Sequence, residues 1–196
     1  RRLHESRLPK AKSLENFDFS VVPSLNKAQI LGIASGDLWI EQGKNILLFG
    51  ASGVGKTHLA AAIGEQLVAH GFRVLFIRTT EIVQNLARAK NACTLPAALE
   101  KLDKFDCLIL DDFGYVQKSE SETSLLFELI SERYECKSMM ITCNQPFKEW
   151  DQIFLDKRMA VAAVDRLVHH SILLEFKAES YRKRMALAGT QDPEQK

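Results

Sequence analysis

One short segment restricts the fold of this chain more than any other feature of its sequence. It matches the pattern G-x-x-x-x-G-K-T and consists of Gly50, Ala51, Ser52, Gly53, Val54, Gly55, Lys56 and Thr57. An apolar run at 46–49 precedes the segment, and a helical pattern over 58–69 follows it. This pattern binds phosphate when it forms the turn between a buried strand and a helix. We therefore expect a phosphate-binding loop in an α/β fold.

The same segment predicts how a nucleoside triphosphate is held. Glycines let backbone N–H groups face a polyphosphate, and the helix that begins here directs its positive end at the same anion. Lys56 is expected to reach the β- and γ-phosphates, and the Thr57 hydroxyl is expected to bind Mg²⁺. His58, the next residue of the helix, completes the predicted nucleotide-binding set.

Composition is consistent with one globular domain. Of the 196 residues, 46% are hydrophobic and 26% are charged, and the formal net charge is +1. No apolar run reaches the length of a membrane span and no secretory signal is visible, so we expect no membrane partner. The cysteines lack metal-ligand spacing, and Cys107 and Cys143 are predicted to be buried in a cytoplasmic protein. Because the sequence begins with Arg1 and not with Met, we interpret it as a fragment that lacks its N-terminal part.

Alternating strand and helix patterns predict a parallel sheet with helices on both faces. Strands are predicted at 45–49, 73–77, 107–110, 138–143 and 172–176. Helices are predicted at 23–34, 58–69, 80–90, 96–101, after the capping box of Ser119 and Glu122, at 148–154 and at 160–169.

Polar side chains follow two of the predicted strands, at the sheet edge where α/β proteins bind ligands. Asp111 is predicted to hold Mg²⁺ together with Thr57, and Asp112 to orient or deprotonate an attacking water. Asn144 can hydrogen-bond the γ-phosphate or that water. An asparagine before a proline is also common in turns, so the role of Asn144 stays open at this point.

Arg166 follows near the end of a predicted helix. A helical arginine is usually solvated, but in oligomeric ATPases such a residue can reach the site of a neighbouring subunit as an arginine finger. Sequence spacing does not choose between these alternatives.

The order of these motifs resembles the IstB-like family, AAA+ ATPase helpers of bacterial insertion-sequence transposition that are related to the DnaC and DnaI helicase loaders and to DnaA. Besides the phosphate loop, the matching segments are Leu-Asp-Asp-Phe-Gly-Tyr at 110–115, Ile-Thr-Cys-Asn-Gln-Pro-Phe at 141–147, Asp-Arg-Leu at 165–167 and Glu-Ser-Tyr-Arg at 179–182. The resemblance implies a P-loop NTPase fold of the AAA+ type with an abbreviated lid. It divides the chain into a basic arm or linker at 1–20, an ATPase core at 21–184 and a flexible tail at 185–196.

The resemblance also implies residue roles, with ATP and Mg²⁺ as cofactors. Thr57 and Asp111 match the metal ligands of the family. Many family members have glutamate where this chain has Asp112, which leaves the hydrolysis rate open. The residues implied in catalysis are Lys56, Asp111, Asp112, Asn144 and Arg166.

Further roles follow from the resemblance outside the catalytic motifs. Arg133 matches a residue near a subunit boundary, and 17–19 matches a linker that can wall the adenine pocket. The family carries a helical insertion that grips DNA, and its basic residues here are Arg88, Lys90 and Lys101. Without the resemblance, a solvated polar face is an equal alternative for these three.

The implied function is an ATPase that assembles as a homo-oligomer (ring, spiral or filament) on double-stranded DNA and delivers target DNA to a transposase, with ATP hydrolysis at subunit interfaces. Three alternatives remain: a helicase loader, an adaptor that binds nucleotide with little hydrolysis, and a small-molecule kinase. A kinase would need an acceptor pocket and an arginine-rich lid, and the sequence offers neither clearly.

Overall fold

A parallel five-stranded sheet forms the centre of the protein in the computed structural model, which describes residues 1–114, 119–145, 149–150, 153–154, 156–178 and 180. The strand order is β2-β3-β4-β1-β5, and every neighbouring pair is parallel. The strands are β1 (Asn45–Gly50), β2 (Val74–Arg78), β3 (Cys107–Asp111), β4 (Ser138–Cys143) and β5 (Ser171–Phe176).

Helices cover both faces of this sheet, as predicted. They are α1 (Arg2–Glu5), α2 (Lys27–Ser35), α3 (Asp37–Glu41), α4 (Lys56–Ala69), α5 (Thr79–Asn91), α6 (Leu95–Asp103), α7 (Glu120–Arg133) and α8 (Lys157–Val168). One hydrophobic core joins α5, α6, α7 and α8 to one face, and a second joins α2, α3 and α4 to the other. Side chains that alternate along the inner strands supply both cores, which explains why these strands are continuous apolar runs.

The predicted strands agree with the observed ones to within a residue, but three helices differ. Helix α8 begins at Lys157, three residues before the predicted start, because the Asp156 side chain accepts hydrogen bonds from the Arg158 and Met159 N–H groups and caps the helix. Helix α2 begins at Lys27, four residues after the predicted start, because the Asn26 side chain accepts hydrogen bonds from the next helical N–H groups and so caps the helix. Helix α3 was not predicted. Gly36, with φ of 81°, ends α2 and begins α3, which buries Trp39.

Residues 1–20 pack against the sheet edge and α4. The backbone N–H of Phe76, on the edge strand β2, donates to the Ser6 carbonyl at 2.7 Å. Arg7 forms an ion pair with Glu81 at 3.0 Å, and Phe17 is buried. This segment therefore partly covers the edge of β2. Such cover protects backbone groups that would otherwise pair with another strand.

Arg133 is a buried part of the core of its own chain. Its position near a subunit boundary stays a prediction. Its side chain is 0% exposed and donates to the carbonyls of Leu102, Phe105 and Ser138 at 3.0–3.1 Å. Burial lowers the pKa of its guanidinium from the ordinary value, whereas nearby acidic groups act in the opposite direction. Arg133 thus fastens the end of α7 to the α6–β3 connection and to β4.

Several predicted features fall outside the described residues. These are the tail at 185–196, part of the predicted helix at 148–154, and residues 115, 146–147, 179 and 181–182 of the family segments. Over the part of the chain that is described, no helix combines the length and the apolar character needed to cross a membrane.

Candidate nucleotide-binding site

The loop between β1 and α4 has the backbone shape that a phosphate requires. Gly50, Gly53 and Gly55 have φ values of 147°, 80° and 102°, a region that other L-residues rarely adopt. A Cβ atom at Gly50 would lie 2.6 Å from the Phe176 carbonyl oxygen, so β5 leaves no room for a side chain there. Gly55 is the N-cap of α4 and gives its first N–H groups no side-chain cap. These groups remain available to an anion.

Lys56 lies in the first turn of α4 and is held inside the loop. Its side chain is 6% exposed, and its ammonium donates to the carbonyls of Gly50 and Ala51 at 2.7 and 2.6 Å. The ammonium group is thereby kept at the mouth of the loop, where a terminal phosphate would replace carbonyl oxygens as the acceptor. Charge-assisted hydrogen bonds to phosphate are stronger than those to neutral carbonyls, which favours this exchange.

Asp111 joins three elements of the site through its side chain and its backbone carbonyl. The hydroxyls of Thr57 and Thr142 donate to the same carboxylate oxygen of Asp111, at 2.9 and 2.6 Å. The Thr79 hydroxyl donates to the Asp111 backbone carbonyl at 2.9 Å. A hydroxyl and a carboxylate in contact beside a phosphate loop are the oxygen donors that Mg²⁺ uses, with phosphates and water filling the other positions. The residues present therefore fit Mg²⁺.

Asp112 has an unusual backbone conformation directly after β3. Its φ is 57°, in the left-handed region, and its N–H donates to the Thr142 hydroxyl at 3.0 Å. Aspartate tolerates this region better than most residues, and such conformations concentrate at functional sites. Asn144 follows β4, the strand that neighbours β3. The sheet thus brings both polar residues to the edge that carries the phosphate loop.

A cavity of about 650 Å³ unites most of the predicted site residues. It is lined by Lys12, Asn16, Phe17, Asp18, Val21, Val22, Ser52, Gly53, Val54, Gly55, Lys56, Thr57, His58, Arg78, Asp111, Asp112 and Asn144. Gly50 and Ala51 contribute to the site through the carbonyls that hold Lys56. Arg88, Lys90, Lys101 and Arg166 are not part of this lining.

The N-terminal segment forms one wall of this cavity. Phe17 lies edge-on to the rings of His58 and Phe19, with centroids 5.4 and 4.9 Å apart. The ring nitrogen Nε2 of His58 is 3.1 Å from the Ser13 carbonyl oxygen, which fastens the segment to α4. The wall combines aromatic and aliphatic side chains, including Val22. Apolar walls of this type suit the flat face of a nucleotide base.

Arg166 lies far from the phosphate loop of its own chain. The neighbouring Leu167 carbonyl accepts a hydrogen bond from Asn45, the first residue of β1, whereas the phosphate loop follows the last residue. The length of β1, roughly 16 Å at 3.3 Å per residue, separates these ends. The guanidinium carbon of Arg166 lies 4.7 Å from the centroid of the Phe127 ring. Its buried Nη1 has no hydrogen-bond partner in the described part of the chain.

The candidate DNA-contacting residues lie on α5 and α6, and all three are exposed. Arg88 hydrogen-bonds within its own helix, to the Gln84 carbonyl at 3.3 Å and the Asn85 side chain at 2.7 Å. Lys101 lines a separate cavity of about 690 Å³ beside β2. The side chains are accessible, and the structure brings none of them to the nucleotide cavity.

Among the site residues that were missed from the sequence, two left a recognisable signal. Thr142 donates to Asp111 and accepts from the Asp112 N–H, and its signal was a hydroxyl in an apolar strand two residues before Asn144. Arg78 ends β2 beside Asp111 and lines the nucleotide cavity. An arginine that directly follows an apolar strand, on the same sheet edge as the acidic pair, could have indicated it.

Comparison with known proteins identifies the family. The family model of the IstB-like ATP binding proteins matches residues 1–188. The chain belongs to this family.

Two curated relatives carry insertion-sequence names. The chain is 57% identical to an insertion-sequence ATP-binding protein of Sinorhizobium fredii over 95% of its own length and 63% of that protein. It is 41% identical to the IS21 ATP-binding protein of Pseudomonas aeruginosa, over 92% of this chain and 68% of that one. The chain thus spans less than two thirds of the Sinorhizobium relative.

Solved structures establish the fold. The crystal structure of the DnaC helicase loader superposes with a TM-score of 0.71 and 24% identity, covering 86% of this chain and 98% of that chain. AMPPCP-bound DnaA from Aquifex aeolicus gives a TM-score of 0.67 and 22% identity, covering 97% of this chain and 58% of that chain. The fold is therefore the P-loop NTPase fold of the AAA+ type, as predicted.

Proposed function

We propose that the protein is an ATP-dependent helper of insertion-sequence transposition, which oligomerises on double-stranded DNA, hydrolyses ATP at subunit interfaces and delivers target DNA to a transposase. The observation that carries the ATPase part is the 2.9 Å contact between the Thr57 hydroxyl, next to Lys56 at the start of α4, and the Asp111 carboxylate at the end of β3. The names of the insertion-sequence relatives support the biological setting.

In this proposal the chain holds ATP with the phosphates on the loop and the base against Phe17 and Val22. The N–H groups at the start of α4 and the Lys56 ammonium bind the β- and γ-phosphates. Thr57 and Asp111 would hold Mg²⁺, which would supply positive charge to offset that of the transferring phosphoryl group. The Thr142 hydroxyl keeps the Asp111 carboxylate in position.

In this proposal, the residues that follow β3 and β4 activate the attacking water. Asp112 accepts a proton from the attacking water, and the Asn144 amide orients that water toward the γ-phosphate. Asp112 has a left-handed backbone conformation and lines the nucleotide cavity. An aspartate is one methylene shorter than the glutamate that many relatives carry, and we expect slower hydrolysis as a consequence.

Arg166 acts in trans in this proposal. Because it lies at the opposite sheet edge from its own phosphate loop, it can meet a γ-phosphate only in another subunit. A finger of this kind stabilises transition-state charge and is worth roughly 10³–10⁵ in turnover in well-studied cases. Exposed basic residues on α5 and α6 would contact the DNA backbone, which makes binding sequence-independent and salt-sensitive.

The first test is particle mass in solution with a non-hydrolysable ATP analogue, with and without duplex DNA. We expect a large complex that needs both the analogue and DNA, and that Lys56→Ala abolishes. A species that stays monomeric with nucleotide and DNA would argue for a small-molecule kinase.

The second test separates nucleotide binding from turnover. Arg166→Ala should retain ATP binding and lose most DNA-stimulated hydrolysis, whereas Arg158→Ala, an exposed arginine at the start of α8, should keep both. Equal loss of binding and turnover in Arg166→Ala would contradict the trans role. Added transposase should accelerate ATP turnover on DNA. Stimulation by a replicative helicase alone would instead favour the helicase-loader alternative. That alternative is worth testing because the fold is similar to that of the DnaC helicase loader.

A further inference from the structure

Two helix ends meet at the amino edge of the sheet, away from the nucleotide cavity. Helix α7 ends with Tyr134 as its C-cap, and α8 ends with His169 as its C-cap. The residues that follow, Glu135 and His170, have φ values of 57° and 58°, in the left-handed region. Both turns therefore direct polar side chains to the same place, at some conformational cost for residues that are not glycine.

The side chains at this place form a compact donor set. Glu135, His169 and His170 each offer one ligand atom, and these atoms lie within 4.8 Å of one another. The two imidazole rings have centroids 3.8 Å apart. All three residues are exposed. An ion could reach them directly from solvent.

The electrostatics of this place favour a cation. The C-terminal ends of two helices carry partial negative charge, and Glu135 adds a carboxylate 3.7 Å from Nδ1 of His169. The Tyr134 hydroxyl lies 2.7 Å from the same nitrogen. A tyrosine hydroxyl can fix an imidazole orientation as outer partners of ligating histidines do.

We propose that Glu135, His169 and His170 bind a divalent transition-metal ion, with water in the remaining position. Two imidazoles and one carboxylate suit Zn²⁺, Ni²⁺ and Cu²⁺, whereas Mg²⁺ prefers oxygen ligands alone. Ligand atoms around a tetrahedral ion are roughly 3.4 Å apart at the usual metal–ligand distances. Exposed side chains can close from 4.8 Å to that spacing by rotating.

Metal binding would tie the end of α7 to the turn between α8 and β5. His169 lies three residues after Arg166, on the same helix end. The ion would therefore stiffen the helix end that carries the candidate arginine finger. This site is separate from the nucleotide cavity, and its occupancy can be measured without ATP or DNA.

The test is calorimetric titration of Zn²⁺ into the protein with excess Mg²⁺ present to occupy the nucleotide site. Cys93 and Cys136 are exposed thiols that also bind zinc, so both are first changed to Ser. We expect one ion per chain, with at least tenfold weaker binding in His170→Ala and in Glu135→Gln. His70→Ala, which removes an exposed histidine on α4, is the matched control and should bind as before.

A second readout guards against variants that fail to fold. Far-ultraviolet circular dichroism and thermal melts are recorded for each variant, and Zn²⁺ should raise the melting temperature of the parent but not of His170→Ala. Tyr134→Phe should weaken Zn²⁺ binding by roughly 10- to 100-fold if the hydroxyl orients His169. Unchanged affinity in a folded His170→Ala variant, or no binding by the parent at about 100 µM Zn²⁺, overturns the proposal.

Discussion

Replacement of Arg133 by Met gives the most quantitative test of the packing. The substitution keeps an unbranched side chain but removes the guanidinium that donates to three carbonyls. Those carbonyls belong to Leu102 in α6, Phe105 in the α6–β3 connection and Ser138 in β4. Each loses its hydrogen bond from the guanidinium, and the site is too buried for bulk water to take over freely.

The expected magnitude follows from these contacts. A buried polar group that loses its partner costs about 1–3 kcal/mol. The Leu102 carbonyl keeps the Phe105 N–H as a second donor, so most of the loss comes from the Phe105 and Ser138 carbonyls. We take about 3–5 kcal/mol as the loss, because water can enter part of the vacated space. Total stabilities are about 5–15 kcal/mol, so the variant should be severely weakened. A domain of this size should melt roughly 6–20 °C lower.

Urea unfolding followed by tryptophan fluorescence provides the assay, since Trp39 and Trp150 are buried in different cores. The exposed Arg88→Ala is the control and should change stability by no more than about 0.5 kcal/mol. A loss below about 1 kcal/mol in Arg133→Met, with an unchanged denaturant slope, would refute the assigned role. A defect seen only in oligomer formation would instead support a position near a subunit boundary.

Three further changes test local features. Ser119→Ala removes the capping box with Glu122 and should cost about 1 kcal/mol in urea unfolding; no measurable loss would contradict it. Gly50→Ala should impair both folding and nucleotide binding, measured by thermal melting and a fluorescent ATP analogue, because the new Cβ would meet the Phe176 carbonyl; wild-type values in both would show that β5 yields. Burial raises the pKa of the Cys107 thiol to about 12, above the unfolded value of about 8.5. The thiol's contribution to the free energy of unfolding is therefore complete below about pH 8.5 and declines toward pH 12, because the unfolded thiol ionises first. Cys107→Ala should accordingly lose less stability between about pH 9 and 11 than the parent; equal losses would count against burial of the thiol.

Local patterns account for the parts of the fold that were predicted well. The capping box of α7 and the apolar run of β4 each depend only on residues that are close together in the sequence, and the structure confirms both. Helix α3 has only five residues, too few for a helical period to show, and its existence depends on the bend at Gly36. The start of α2 was misjudged because the apolar residues before Asn26 continue the helical pattern, while the cap decides the boundary.

Long-range pairing accounts for the parts of the site that were missed. The register of β3 on β4 pairs Leu110 with Ile141, which brings Asp111 beside Thr142. Nothing in the sequence specifies that these strands are neighbours. Arg133 is a similar case, because its acceptors come from α6, the following connection and β4. Its neighbours in sequence gave no indication that the charge is buried.

The two edges of the sheet carry different parts of the proposed reaction. Phosphate binding, the metal ligands and water positioning all lie at the carboxyl edge, where β1, β3 and β4 end. Arg166 lies at the amino edge, about one strand length away, so a single subunit cannot bring it to its own γ-phosphate. Under the proposed trans mechanism an isolated subunit would therefore bind ATP yet hydrolyse it slowly. Assembly on DNA would then switch hydrolysis on by joining one subunit's amino edge to the carboxyl edge of the next, with no rearrangement inside either subunit.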